Sequence, residues 1–342
     1  MSLLTESDKQ RWDAFVLASD RATCYHQAGW KEVVEKSFGH KTFYLMSEDG
    51  SNRIEGILPL VQLKSRLFGN FLVSLPYFNF GGACASNQKD LDRLLSEAKM
   101  LATETNAQHI EFRHTEHLYK DLPVKTTKVT MRLTLPGDPE TLLKSFPSKL
   151  RSQIKRPQKE GMVAKIGRSD ELDNFYAVFS QNMRDLGTPV YALSFFKNIL
   201  ATFPETTWIC TIFSKDGLPI ASGFLVGFKD NIEIPWASSL RKYNSLGPNM
   251  LLYWSVLKLA CKRGYRVFDF GRSTPEEGTY RFKVQWGAKP VPLYWHYWLK
   301  NGGSLPEFNP KNPKYQLAIQ IWKRLPVPLT RILGPAIVKN LP

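Results

Sequence analysis

The decisive stretch is Tyr265-Arg266-Val267-Phe268-Asp269-Phe270-Gly271-Arg272-Ser273-Thr274, followed by Tyr280-Arg281-Phe282-Lys283-Val284-Gln285-Trp286-Gly287. Tyr265–Phe270 reads as a buried-type strand that ends in Asp-Phe-Gly. Alternation along it sends Phe268 and Phe270 to one face and Asp269 to the other. A polar loop follows. The second aromatic stretch is expected as another strand, with Lys283 pointing opposite to Phe282 and Val284. A carboxylate, a guanidinium, a hydroxyl and an ammonium thus meet at one strand end, where α/β folds build sites.

Working outward, Leu251–Arg263 has the periodicity of a helix, with Gly264 in position to end it. Before it, Trp208–Phe213, Ile220–Phe228 and Ile232–Ser238 read as strands, the first two joined at Asp216-Gly217. Leu172–Asp185 and Leu193–Thr202 read as helices. The first half of the chain runs in the same order. Residues 8–18 and 29–37 are helical, Thr42–Met46 and Glu55–Lys64 are strands joined through Asp49-Gly50, and Phe71–Leu75 is a third strand. Leu91–Thr103 is a helix and Ile110–Arg113 a strand; Thr127–Leu135 is a further strand. Ile54-Glu55-Gly56-Ile57-Leu58 corresponds to Ala221-Ser222-Gly223-Phe224-Leu225. The expected fold class is α/β (α+β): a duplicated module, each copy a mixed sheet flanked by helices. The expected organisation is a first module over 1–143, a basic connector helix over 144–168, a second module over 169–300 and a basic amphipathic tail over 301–342.

The connector carries Lys144, Lys149, Arg151, Lys155, Arg156, Lys159, Lys165 and Arg168 against Glu160. Ser148 is placed to cap a short helix with Leu150 and Ile154 on its apolar side, Pro157 to interrupt it and Gly161 to end it. From Lys311 to Pro342 every charged residue is basic. Tyr315, Ala318, Trp322 and Leu325 share one helical face, and Pro326 and Pro328 are expected to break the helix. Such a segment can lie on an anionic membrane surface or pack on its own domain. The net charge of +15 suits an anionic partner. Nonspecific RNA contact through the connector is one form of this; nothing points to specific DNA binding.

Cys24, Cys84, Cys210 and Cys261 have no ligand-like spacing and fit buried thiols in a reducing compartment. The acidic N-terminus (Glu6, Asp8, Asp13) is unlike a signal peptide, and no apolar run is long enough to span a bilayer. A cytoplasmic protein is expected, with the tail allowing a peripheral position at the inner membrane. His109, His114 and His117 do not have zinc spacing, and His114 and His117 fit an exposed turn, so no metal is expected.

Among candidate site residues, Lys283 could stabilise an oxyanion or neutralise a phosphate, and Asp269 could accept a proton or orient Arg272. Arg272 and Ser273 suit a phosphate or carboxylate. Tyr77 and Asn79 precede Gly81-Gly82, where glycines permit close approach of a ligand to the backbone.

Ser74-Leu75-Pro76-Tyr77-Phe78-Asn79-Phe80-Gly81-Gly82, Asp269-Phe270-Gly271-Arg272-Ser273 and Phe282-Lys283…Trp286-Gly287 together resemble FemAB-like proteins. The nearest subgroup by these motifs is the one associated with PEP-CTERM/exosortase and exopolysaccharide loci. The resemblance covers roughly Gln27 to Tyr297. It implies two tandem GNAT-like modules and an N-acyltransferase or aminoacyltransferase acting on a nucleotide- or lipid-linked envelope precursor, with Lys283 tied to the reaction centre. It places Arg184 and Tyr191 on the acceptor side. The long charged insertion of several relatives is missing, so no coiled-coil arm is expected.

The GNAT pyrophosphate loop corresponds to Arg241-Lys242-Tyr243-Asn244-Ser245-Leu246-Gly247-Pro248-Asn249. Here Asn244 and Leu246 replace small residues, and Leu246 obstructs a phosphate. Gly247, Asn249 and the helix start retain some capacity for an anion. The implied co-substrate is therefore aminoacyl-tRNA, acyl-CoA or an acyl carrier protein, with no cofactor bound permanently. The expected function is transfer of an acyl or aminoacyl group to an amine of an exopolysaccharide or peptidoglycan precursor. The alternative is a non-catalytic, membrane-peripheral scaffold of the polysaccharide and protein-sorting system.

Overall fold

The computed structural model describes residues 1–306 and 313–341, with only the backbone described at 313–315. Lys311 and the side chain of Tyr315 lie outside the described residues. From the N-terminus the elements are β1 (Ser2–Leu3), α1 (Lys9–Ala18), α2 (Gly29–Phe38), β2 (Lys41–Glu48), β3 (Ile54–Ser65), β4 (Gly69–Ser74), β5 (Cys84–Ala85), α3 (Gln88–Glu104), β6 (His109–His114) and β7 (Val124–Lys125). They continue with β8 (Val129–Thr134), α4 (Pro139–Ser145), α5 (Ser148–Lys159), β9 (Val163–Gly167), α6 (Leu172–Leu186), α7 (Leu193–Thr202), β10 (Thr207–Phe213), β11 (Pro219–Phe228) and β12 (Asn231–Ser239). The last are α8 (Pro248–Lys262), β13 (Val267–Ser273), α9 (Gly278–Val284), β14 (Lys289–Pro292), β15 (Tyr294–Leu299), α10 (Pro313–Arg324) and α11 (Val327–Val338).

The chain divides into two compact units. One comprises Met1–Val129, Pro292–Phe308 and Lys339–Pro342; the other comprises Thr130–Val291 and Asn309–Val338. The first holds a sheet ordered β1-β2-β3-β4-β6-β15-β7, with β5 beside β3. The second is built on a sheet ordered β14-β8-β13-β12-β11-β10-β9. Each sheet has a parallel pair at its centre, β4 with β6 and β12 with β13.

The duplicated order read from the sequence is present. Gly56 on β3 and Gly223 on β11 occupy equivalent places: an added Cβ at Gly56 would meet Leu94 of α3, and one at Gly223 would approach Leu252 of α8. At Gly56 the glycine makes room for Ala85 and the helix, and at Gly223 chiefly for Ile234 of the neighbouring strand. The parallel pairs carry a second correspondence. Val73 is in register with Glu111 in one unit and Glu233 with Asp269 in the other, so both repeats place an acid on the strand that follows the long helix. Glu111 and Asp269 are both buried and both bonded to an arginine.

Local signals explain the helix ends. Asn87 caps α3 by accepting from the Asp90 amide. Asp138 caps α4, with Pro139 at its first turn. Gly264, at φ 81°, follows the last turn of α8.

Several expectations are corrected. Tyr280–Gly287 is not a strand: its core is the helix α9. Alternating aromatics fit either period, and here Phe282 and Trp286, four residues apart, both pack near Tyr253 of α8. Ser148 does not cap α5 but is its first residue, preceded by Pro147. Pro157 stays inside α5, buried in its last turn, at the cost of the backbone donor to the Gln153 carbonyl. Tyr294–Leu299, assigned by sequence to the second module, pairs residue for residue with β6 in the first unit's sheet.

The tail forms two helices. Pro328 falls in the first turn of α11, where proline is tolerated. The inner face of α10 presents Trp322 and Ile319, the latter against Gly187, while Ala318 is exposed. All four cysteines are free and buried.

Gly334 seats α11 against the loop after α6. A Cβ there would lie 2.8 Å from both the amide nitrogen and the carbonyl oxygen of Val190. Gly334→Ala is expected to loosen α11 by about 1–3 kcal/mol. Amide exchange should rise across Val327–Val338 and stay unchanged in β12; unchanged exchange in α11 contradicts this packing.

Candidate functional site

The ladder between β12 and β13 pairs Asn231 with Val267, Ile232 with Phe268 and Glu233 with Asp269, and goes no further. Beyond this point both strands carry on unpaired with one another. Two buried carboxylates therefore stand where the sheet opens. Asp269 turns away from Phe268 and Phe270 as alternation requires, and Phe270 stacks on Tyr253. The Asp269 carboxylate accepts from Thr130 Oγ1, from the Gly271 amide at 2.8 Å and from Arg132 Nε at 3.0 Å. It thereby clamps β8 to the bend of β13. The guanidinium bonded to it at 3.0 Å is that of Arg132.

Gly271 adopts φ 74°, a left-handed conformation suited to glycine. The bend turns the carbonyls of Gly271 and Arg272 toward α9. Lys283 donates to both, at 2.9 and 3.0 Å. An ammonium has three N–H donors, so one direction remains for a ligand. Lys283 is only 7% exposed. Burial is the largest influence and pulls its pKa down; Asp269 and Glu233 pull it back up, Arg272 pushes it down, and the outcome is about 8.

Glu233 was missed by the sequence reading. Its signal was an acid flanked by Ile232 and Ile234 inside an apolar strand, a position that acids rarely occupy without a partner. A Cβ at Gly271 would lie 3.8 Å from Glu233 Oε1, so this carboxylate borders the same bend. Ser273 is buried, and among the described residues its Oγ has no hydrogen-bond partner. Arg272 is exposed on the other side of the strand. The structure thus brings together Asp269, Ser273, Lys283 and the Arg272 backbone, and adds Glu233.

The other predicted residues of this unit lie elsewhere in it. Gly247 has φ 76° and leads into α8 after a 3-10 turn over Arg241–Leu246. Asn249 Nδ2 donates to Ser239 Oγ at 3.1 Å, and Ser239 donates to Asn244 Oδ1 at 2.8 Å, so the polar groups at this helix start bond one another. Pro157 at the end of α5 lies 3.7 Å from where a Gly247 Cβ would stand. Along α5, Lys149, Lys155, Arg156 and Lys159 are exposed. Arg184 bonds Asp185 and the Leu325 carbonyl, tying α6 to the end of α10. Tyr191 packs among Phe195, Phe196 and Trp236, its carbonyl accepting from Tyr176.

In the first unit, Leu75–Gly82 is a constrained loop, with positive φ at Leu75, Tyr77 and Gly81. Tyr77 donates from its hydroxyl to the Lys339 carbonyl at 2.7 Å. The Asn79 carbonyl accepts from Trp295 Nε1 at 3.0 Å, and the Phe78 carbonyl from the Arg113 guanidinium. The Gly81 and Gly82 amides both donate to the Arg113 carbonyl. The glycines are needed here by the protein itself. A Cβ on Gly82 would lie 2.3 Å from His114 Nε2 and 2.7 Å from the Arg113 carbonyl. His114 is accordingly not on an exposed turn but buried at the end of β6, accepting from the Ala83 amide; burial drives its pKa well below the usual histidine value. Among the described residues no group of three or more His, Cys, Asp or Glu is placed to hold a metal ion.

Residues 144–284 match the family model described as "Acetyltransferase (GNAT) domain". A curated relative, UDP-N-acetylmuramoylpentapeptide-lysine N(6)-alanyltransferase of Weissella viridescens, is 26% identical over 159 residues, which is 45% of this chain and 47% of the relative. The match thus spans about half the length of that relative. The crystal structure of FemX superposes with a TM-score of 0.65 at 16% identity, over 94% of this chain and 100% of that one. A tandem GNAT protein from the clavulanic acid biosynthesis pathway gives a TM-score of 0.56 at 11% identity, over 88% and 97%. The fold is tandem GNAT-like, and the domain match and the Fem-type relative support a FemAB/GNAT-like transferase.

The Lys283 ammonium should titrate near pH 8 by NMR, against 10.5 for an ordinary lysine, and removing the favourable charge in Asp269→Asn should lower the midpoint further. A midpoint at the ordinary value contradicts the burial argument. Because the folded pKa lies below the unfolded one, folding releases a proton between about pH 8 and 10.5. The stability cost of burying this charge is present in full below pH 8 and is relieved as pH rises through that window. Separately, Gly82→Ala should cost about 1–3 kcal/mol in urea unfolding through its clash with β6; a neutral result contradicts the close packing.

Proposed function

We propose that this FemAB/GNAT-like chain is an N-aminoacyltransferase that moves an aminoacyl group from aminoacyl-tRNA to an amine on an envelope precursor of the peptidoglycan type. The observation that carries the reading is the buried Lys283 ammonium, fixed by two carbonyls at the end of β13 with one N–H left over. In the transfer, the acceptor amine attacks the ester carbonyl, a C–N bond forms, and the C–O bond to the tRNA ribose breaks. The amine gives up a proton and the leaving oxygen takes one. The tetrahedral oxyanion needs positive charge in a dry site. Lys283 supplies it, and a group with pKa near 8 can also hand a proton to the leaving oxygen. Asp269 and Glu233 sustain the charge on Lys283, and Ser273 offers the acceptor a buried hydroxyl.

Two features favour tRNA over acyl-CoA as donor. The helix start at Gly247 is poorly suited to a pyrophosphate: Pro248 lacks an N–H, and the Asn249 side-chain amide is already bonded to Ser239. The exposed basic face of α5 ends beside that loop and suits phosphodiesters. The acceptor class follows the printed name of the curated relative, a UDP-linked muramoyl pentapeptide. Arg272 suits its phosphate or carboxylate. An amine of an exopolysaccharide precursor requires the same chemistry and is the acceptor to compare. A lipid-linked form of either acceptor would bring the reaction to the inner face of the membrane.

The test is incubation with alanyl-, seryl- or glycyl-tRNA and a UDP-linked muramoyl pentapeptide, read by mass spectrometry, with acetyl-CoA as the competing donor. Transfer from tRNA is expected. Lys283→Ala should lower kcat/KM by about 10²–10⁴ with an unchanged circular dichroism spectrum. If the ammonium is the working form, the wild-type pH profile should fall above about 8 as the charge is lost. Wild-type turnover in Lys283→Ala, or transfer from acetyl-CoA alone, contradicts the proposal.

A further inference from the structure

The outer faces of the two C-terminal helices are apolar and solvent-exposed. On α11, Leu329, Ile332 and Leu333 are exposed, Ile332 at 73%. On α10, Leu317 and Ile321, one turn apart, are exposed at 61% and 54%. The inner faces are already used. Trp322 of α10 is buried, and Thr330, Gly334 and Val338 of α11 are buried. Arg331 reaches from α11 to Ser180 of α6 at 2.9 Å and lies over the Tyr176 ring. The helices are therefore docked on the second unit through one side only. Lone exposed apolar residues are ordinary, but grouped ones on a docked helix mark a surface that something covers.

The charges around these side chains select the occupant. From residue 309 to 342 every charged residue is Lys or Arg. Arg324 stands exposed at the end of α10, one turn beyond Ile321 on the same face, whereas the Lys323 side chain runs over Gly187 on the inner side. A second copy of the chain would bring another wholly basic segment and a net charge of +15 against it. An anionic lipid surface answers both properties, accepting the apolar side chains below its headgroups and the cations among them. No helix among the described residues is long and apolar enough to cross a membrane. The 12 residues of α11 extend only about 18 Å, short of a bilayer core of about 30 Å.

We propose that the outer faces of α10 and α11 form a peripheral docking surface for anionic phospholipid, with Leu317, Ile321, Leu329, Ile332 and Leu333 entering the interface and Arg324 meeting the phosphates. The surface lies flat on the bilayer and does not span it. The inference stands apart from the transfer chemistry, since none of these residues belongs to the Lys283 site.

The experiment is co-sedimentation of the full chain with phosphatidylcholine vesicles prepared with and without phosphatidylglycerol. Wild-type protein should partition onto the phosphatidylglycerol vesicles at least about tenfold better and should be released by salt. Ile332→Asp with Leu333→Asp should lower partitioning about tenfold or more. Removing the charge in Arg324→Gln should lower it about fivefold. All these side chains are exposed, so the variants should keep the wild-type thermal midpoint and wild-type transfer to a soluble, nucleotide-linked acceptor. Equal binding to both vesicle types, or variants that bind like wild type, overturns the proposal. So does a dimer in sedimentation velocity that disappears in the Ile332 and Leu333 variant, because the face would then belong to a second copy. Loss of transfer in Lys283→Ala with vesicle binding intact separates the two accounts.

Discussion

The bend at Gly271 and the lysine beneath it organise the second unit. A strand that ends in a left-handed residue presents two consecutive carbonyls to one side, and Lys283 satisfies both. Neither half is stable alone. Buried carbonyls need donors, and a buried ammonium needs acceptors and compensating charge. Lys283 gives the carbonyls their donor, and Asp269 accepts from the Gly271 amide and supplies negative potential to Lys283. The same carboxylate holds β8 through Thr130 and Arg132, so the geometry of the buried ammonium is tied to the sheet itself.

The repeat clarifies what is specific to this site. Both units place an acid beside the opening of their parallel strand pair and bond it to an arginine. In the first unit Glu111 is bonded to Arg113 and to the Tyr297 hydroxyl, and the arginine in turn holds the Phe78 carbonyl. That arrangement fixes the Leu75–Gly82 loop. In the second unit the position after Phe270 is a glycine rather than an arginine, and the bend it allows makes room for an amine from α9. One architectural element, an acid at the sheet opening, thus supports a loop in one copy and a lysine in the other.

Much of the fold was legible in the sequence because its signals are local. Asp-Gly turns, the helical period of Leu91–Ala102 and the glycine after Arg263 each act within a few residues. The duplicated order followed from these. What was not legible depends on distant partners. Tyr280–Gly287 alternates well enough for a strand, and only its packing against Tyr253 and the carbonyls of β13 makes it a helix. Tyr294–Leu299 lies far in sequence from β6, its partner. The glycines of the Tyr77 loop looked like space for a ligand; Gly82 is occupied by contact with His114. At the site, Lys283, Asp269 and Ser273 could be named from the text, whereas Glu233 needed the strand register to show which acid it faces.

The central claim is that the Lys283 ammonium points its remaining N–H at the reacting carbonyl. The most direct measurement is a crystal structure with a non-hydrolysable aminoacyl-adenosine amide that mimics the tRNA terminus. The account predicts the ligand's carbonyl oxygen about 3 Å from Lys283 Nζ, with the Gly271 and Arg272 carbonyls still bonded. A ligand bound with its carbonyl beyond hydrogen-bond reach of that nitrogen contradicts it.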